Sequence, residues 1–153
     1  MVVVEYRALE NPVTNMIQAA GSEVKEAKAV ATNLVEANLM GHDSHGVGLT
    51  PRYMLHALTG TMTPGAEVSL ITDSGPYLLL DGNMGYGQII GRKTMEIGVE
   101  KVKQNGAAIV GLRNVHHLGR IGAWGEICAK AGFISIHYVN ATGHKPYVAP
   151  YGG

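Results

Sequence analysis

The stretch that most constrains this chain is residues 107–125, AAIVGLRNVHHLGRIGAWG. It opens as a short apolar run, Ala107, Ala108, Ile109 and Val110, of the kind that forms a buried strand. Polar Arg113 and Asn114 follow, then a histidine pair, His116 and His117, then Gly119, Gly122 and Gly125. The glycines lead into a helix expected over residues 123–131. A strand that ends in a glycine-rich turn and feeds a helix N-terminus exposes backbone N–H groups to an anion and lets it approach closely. A histidine beside such a cradle can take or lend a proton near neutral pH, which points to chemistry next to a bound nucleotide. Residues 117–122, HLGRIG, follow the spacing of G-x-G-x-x-G but carry histidine in the first glycine's place, so this is not the dinucleotide fingerprint. A packing turn with solvated histidines is the competing reading of the same residues.

The 153 residues allow one ordinary domain or two small ones with a real core. Lys plus Arg and Asp plus Glu number 12 each, so the formal charge is zero, which argues against nucleic acid or a membrane surface as partner. The single cysteine, Cys128, allows no internal disulfide, suits a reducing compartment, and reads as a small buried hydrophobe. No apolar run approaches the ~20 residues needed to cross a bilayer. Glu5 interrupts the apolar start of the chain, unlike a signal peptide. A cytoplasmic location is therefore expected. Glycine is abundant, at 21 positions, but scattered, which fits tight turns and not a repeat.

Residues 1–6 read as an edge strand or as an N-terminal extension. Asn11 is placed to cap a short helix with Pro12 at its first position, running to about Ala20. Ser22 is expected to cap a longer helix over residues 23–40, with Ala27, Val30, Ala31, Leu34 and Val35 as its buried stripe and Gly41 ending it. The next residues, GHDSHGVG at 41–48, combine titratable, polar and glycine residues too densely for a core and read as a loop facing a ligand. Pro51 opens a helix over residues 52–59. Strands are expected over residues 67–72 and 77–80. The glycine-rich loop DGNMGYG at 81–87 leads into a helix over residues 88–104, whose buried side should be Met95, Val99 and Val102, with Gly91 and Gly98 allowing close packing. Strands over residues 107–112 and 133–139 flank the last helix. This alternation predicts an α/β fold in which a sheet is covered by helices, after a mainly helical first half. Residues 140–153 are turn-rich with no closing helix or strand, an ending that reads as a truncation, although an exposed tail would look the same.

Four ordered motifs carry a resemblance: GHDSHGVG with PRY (41–48 and 51–53), LDGNMGYGQ (80–88), NVHHLGRIGAWGE (114–126) and VAPYGG (148–153). Together they resemble the type-2 malate/L-lactate dehydrogenase family, which includes sulfolactate and ureidoglycolate dehydrogenases. HHLGRIG followed by AGFISIHYV (131–139) is most similar to the hydroxycarboxylate dehydrogenase B branch. The resemblance runs from about Val13 to the last residue, and this chain should be the N-terminal portion of a longer protein. It implies a non-Rossmann fold: residues 1–75 as a mainly helical region carrying the GHDSHG loop, and residues 76–153 as the first part of an α/β cofactor-binding domain. It also implies a homodimer, NAD or NADP as cofactor, and a small 2-oxo or 2-hydroxy acid as substrate.

The resemblance further implies roles for individual residues. His45, in the SHG motif, is the first choice for proton donor or for contact with the carbonyl or nicotinamide, and His117 is the second; the two can share the role. Ser44 either bonds substrate, orients His45, or caps a turn. Gly119, Arg120 and Ile121 stand where related enzymes contact the dinucleotide. Arg120 would pair with pyrophosphate or a substrate carboxylate, or be a surface charge. Leu49 occupies a position where many family members carry an arginine for the substrate carboxylate; Arg52 either compensates or is solvated. His42, His116, His137 and His144 read as structural or solvent-facing, Asp43 as support for His45 or an acceptor of backbone N–H groups, and Lys145 as a loop charge near the cofactor. Two alternatives stand beside this reading: a metal-dependent hydrolase using His42, His45, His116 and His117, and an inactive truncated chain.

Overall fold

Apolar residues at helical spacing begin earlier than Pro12. Leu9, Val13, Ile17 and Ala20 are half-buried or buried on one side of the first helix, α1 (Tyr6–Ala19), in the computed structural model, which describes residues 4–141. Pro12 therefore lies inside α1 and not at its start, and Glu5 is the cap, its carboxylate accepting the Ala8 N–H at 3.1 Å. Pro12 is on the exposed side. The buried stripe holds the helix together across the backbone bond that proline cannot make. The strand expected at the N-terminus is absent over Val4 and Glu5, and residues 1–3 lie outside the described residues.

Helix α2 (Val24–Leu39) buries Ala27, Val30, Ala31, Leu34 and Val35, the expected stripe. Ser22 does not cap it. Glu23 holds the cap position without a side-chain bond, and Ser22 is buried. Gly41 follows with φ 75°, the left-handed geometry that closes a helix cheaply only with glycine. Two short 3-10 turns, Asp43–His45 and Val47–Leu49, lead into α3 (Thr50–Leu58). α1, α2 and α3 share one core, with Val13, Ile17, Val30, Leu34, Tyr53 and Tyr86 at its centre.

Strands β1 (Ser69–Ser74) and β2 (Tyr77–Asp81) form an antiparallel hairpin, and β3 (Ile109–Arg113) lies parallel to β2, in the sheet order β1-β2-β3. The register pairs Leu80 with Leu112 and Asp81 with Arg113. Helix α4 (Gly87–Asn105) makes the crossover from β2 to β3, and α5 (Gly122–Lys130) follows the histidine turn. The fold is thus helix-rich α/β, as the alternation of elements predicts. The buried face of α4 is Ile90, Thr94 and Val99 with Gly91 and Gly98; Met95 and Val102 are only half-buried. A β-carbon added at Gly91 would lie 2.9 Å from the Trp124 ring, so the glycine is what lets α4 and α5 pack this closely. Cys128 is buried beside them as a free thiol.

Residues 133–139 are not a strand. A strand needs a ladder partner, and none lies beside this segment among the described residues. The alternation survives without it: Phe133, Ser135 and His137 are half-buried, whereas Ile134, Ile136 and Tyr138 are exposed. The half-buried side closes one wall of an apolar groove of about 550 Å³ whose other walls include Val99, Val110 and Trp124. His45 and His117 lie outside that groove. No helix among the described residues is long and apolar enough to cross a membrane.

Candidate functional site

Two loops, distant in sequence, carry the candidate chemistry. The first follows α2 and is tied back to it by one side chain. Asn38 donates through Nδ2 to Asp43 Oδ1 at 2.6 Å and accepts the Val47 N–H through Oδ1 at 2.8 Å. Gly46 passes so close to Asn38 that an added β-carbon would sit 2.1 Å from Oδ1. Asp43 is therefore engaged with Asn38 and not with His45. Ser44 Oγ is 2.8 Å from His45 Nδ1, within hydrogen-bond reach of the ring. His42 is exposed and donates from Nδ1 to its own chain at the Met40 carbonyl, 3.1 Å away.

The second loop is stitched to the glycine-rich segment after β2. Asp81 Oδ1 accepts the Asn83 N–H at 2.9 Å, and Oδ2 accepts from Arg113 Nε at 3.0 Å and Asn114 Nδ2 at 2.8 Å. These donors, the Asn83 amide foremost, hold the Asp81 carboxyl below the usual carboxylate range. The Met84 N–H bonds the Asn114 carbonyl at 2.7 Å, and the His116 N–H bonds the Gly85 carbonyl at 3.1 Å. Asn83, Met84 and Asn114 all have positive φ, held there by this lattice of bonds.

The two loops bring His45 and His117 together, their rings stacked with centroids 5.2 Å apart and planes 29° apart. Tyr53, on α3, lies under them: its hydroxyl is 2.7 Å from His117 Nδ1 and accepts from Gln88 Nε2 at 2.8 Å. Burial pushes the Tyr53 hydroxyl pKa above its ordinary value, against the partial opposition of the Gln88 donor. His116 takes a separate partner. Its Nε2 meets His56 Nδ1 at 2.5 Å, and burial, reinforced by the neighbouring His56, His117 and Arg52, pulls its pKa from 6.5 to about 4. These neighbours favour the neutral form of the His116 ring.

Gly119, Arg120 and Ile121 continue directly from His117. Gly119 is buried with φ 70°, and a β-carbon there would press on Asn33 and Gln88 at 3.1 and 3.2 Å. The N–H groups of Gly119, Arg120 and Ile121 make no backbone hydrogen bond among the described residues, and they precede the N-terminus of α5. That donor set fits a phosphate. The Arg120 guanidinium is mostly buried and pairs with Glu126 at 2.7 Å. His137 is half-buried and bonds Ser135 Oγ at 2.9 Å through Nε2. Leu49 is a partly buried apolar residue packed on the helical core, and Arg52 is exposed at the start of α3. His144, Lys145 and the VAPYGG motif lie outside the described residues. Among the described residues, no three His, Cys, Asp or Glu side chains are placed to hold a metal ion together.

The sequence matches the malate/L-lactate dehydrogenase family over residues 4–153. The chain belongs to that family. It is 42% identical over 147 residues to hydroxycarboxylate dehydrogenase B of Escherichia coli (strain K12), covering 96% of this chain and 40% of the relative. It is 41% identical over 128 residues to an L-lactate dehydrogenase of Cupriavidus necator, covering 83% of this chain and 36% of the relative. The solved malate dehydrogenase of Pyrococcus horikoshii OT3 superposes with a TM-score of 0.80 at 32% identity, over 86% of this chain and 38% of that one. The chain spans about 40% of the length of the curated relatives it matches, in their N-terminal part.

Three residues beside the histidine pair are absent from the sequence-level site: Tyr53, His56 and Gln88. Tyr53 and His56 are three apart on one face of α3, and Gln88 is a polar residue on the buried side of the first turn of α4. A polar side chain at a position whose helical phase demands burial was the available signal, since such a group must find a partner. Which partner it finds is not written in either helix.

Proposed function

We propose that this chain is the part of a nicotinamide-dependent oxidoreductase, using NAD or NADP, that supplies the proton for interconverting a small 2-oxo acid and its 2-hydroxy acid. The observation that carries the reading is the stacked His45–His117 pair beside the glycine turn 117–122. When bound, the nicotinamide supplies the hydride; the protein must orient the acid, hold the dinucleotide and move a proton. The amides of Gly119, Arg120 and Ile121 take the phosphate side. His45, oriented by Ser44, and His117, held by Tyr53, present imidazoles at one place, where a carbonyl oxygen that gains charge needs a donor. His45 also contacts the cofactor in this reading. Residues 1–75 contribute the His45 loop and residues 76–153 the phosphate-facing turn of the cofactor domain. The whole protein is proposed to be a cytoplasmic homodimer.

The test is oxidation of NADH and NADPH by the full-length protein against a panel of 2-oxo acids, with His45→Ala and His117→Ala alongside. The histidine that donates the proton should cost roughly 10²- to 10⁴-fold in turnover when removed. Unchanged turnover in both variants would overturn the assignment.

A further inference from the structure

The Tyr53 hydroxyl has one proton and two polar neighbours, Gln88 Nε2 at 2.8 Å and His117 Nδ1 at 2.7 Å. An amide nitrogen can only donate, so the bond from Gln88 uses a lone pair of the Tyr53 oxygen and the hydroxyl proton is left for His117 Nδ1. A ring nitrogen that accepts carries no proton, and in a neutral imidazole the proton then sits on the other nitrogen. The direction of the chain of bonds therefore dictates the state of the ring at its end. We infer that Gln88 and Tyr53 are positioning residues that lock His117 in the tautomer protonated at Nε2, so that this ring can give a proton only through Nε2.

Two features make the direction hard to reverse. Gln88 and Tyr53 are 3% and 1% exposed, so water does not compete for either group. Turning the Gln88 amide over would place its oxygen on Tyr53, but the other end of that amide has no partner among the described residues. The reversed amide would thus orphan two buried N–H donors where the present one leaves one N–H and the carbonyl oxygen, and unpaired carbonyls are more tolerable than unpaired N–H groups. Burial also keeps Tyr53 protonated, and so a donor, throughout the neutral range. His116 does not intrude, because its Nε2 is taken by His56. The catalytic meaning of the lock rests on the proposed role of His117; the lock itself does not.

The deciding measurement is the nitrogen-15 spectrum of the histidine rings in the full-length protein, which distinguishes protonated from bare ring nitrogens without any substrate. The His117 signals are assigned by their loss in His117→Gln. The wild type should show His117 protonated at Nε2. Tyr53→Phe, which removes the donor and little else, should populate both tautomers. Gln88→Glu should accept the Tyr53 proton, turn the hydroxyl into an acceptor for the ring, and move the His117 proton to Nδ1, whereas Gln88→Leu, which removes the donor that sets the direction, should populate both tautomers. A wild-type ring protonated at Nδ1, or a tautomer unmoved by Tyr53→Phe, would overturn the inference; Tyr53→Phe decides the matter if the buried charge of Gln88→Glu prevents folding. Turnover separates the two claims. A shifted tautomer with kcat lowered about five- to tenfold and KM little changed supports both. A shifted tautomer with kcat intact keeps the lock and removes His117 as proton donor.

Discussion

A β-carbon added at Gly87 would lie 2.1 Å from the carbonyl oxygen of His117. The N-terminus of α4 is therefore the floor on which the histidine turn rests, and only a residue without a side chain leaves room for it. Gly87→Ala should push the backbone of residues 117–118 away from α3, breaking the reach between Tyr53 and His117. The expected cost is about 1–3 kcal/mol of stability. The loss in turnover should be larger in proportion, approaching ~100-fold, because a displacement of about 1 Å at a reacting group has that effect. Chemical denaturation and steady-state kinetics on the same variant check both parts.

His116 makes stability depend on pH in a defined direction. Its pKa is about 4 when folded and 6.5 when free, so between those values the unfolded chain takes up a proton that the folded chain refuses. The stability that its neutral form contributes is complete above about pH 6.5 and is lost as the pH falls through about 4. His116→Gln, which cannot titrate, should flatten the fall in melting temperature between pH 6.5 and 4. Parallel melts of the two proteins across that range test it; superimposable pH profiles would remove His116 as the cause.

The ion pair between Arg120 and Glu126 has one buried and one half-exposed member, at 11% and 45% side-chain exposure. Removing the exposed member strands the buried one. Glu126→Gln should cost about 1–2 kcal/mol, less than a fully buried pair because water reaches the carboxylate side. Arg120→Gln combined with Glu126→Gln should be less destabilising than the sum of the single changes. A double-mutant cycle by denaturant unfolding measures that coupling.

Local physics accounts for what could be read from the chain. The apolar stripe of α2, the glycine after it, the glycine-rich entry to α4 and the strand–turn–helix at 107–131 are each specified by residues within a few positions of one another, and each stands in the structure within a residue or two. Where the structure departs from local pattern, the cause is common. Helix α1 starts ahead of Pro12 because a buried stripe outweighs the local preference of proline for a first turn. The segment at 133–139 has a strand's alternation but no neighbour to pair with among the described residues. In both cases the outcome depended on a surface supplied from elsewhere.

By itself the sequence determined where the chain turns, which faces of its helices are apolar, and that two histidine-bearing loops flank glycine-rich turns. These follow from periodicity and from the φ values open to glycine, and both act over short stretches. Only the tertiary structure decided which histidine meets which partner: His117 with Tyr53 and His45, His116 with His56. The adjacent rings of His116 and His117 have nearly the same local sequence around them. Their different partners come from the face that α3 presents when it packs into the helical core, a contact no local pattern encodes.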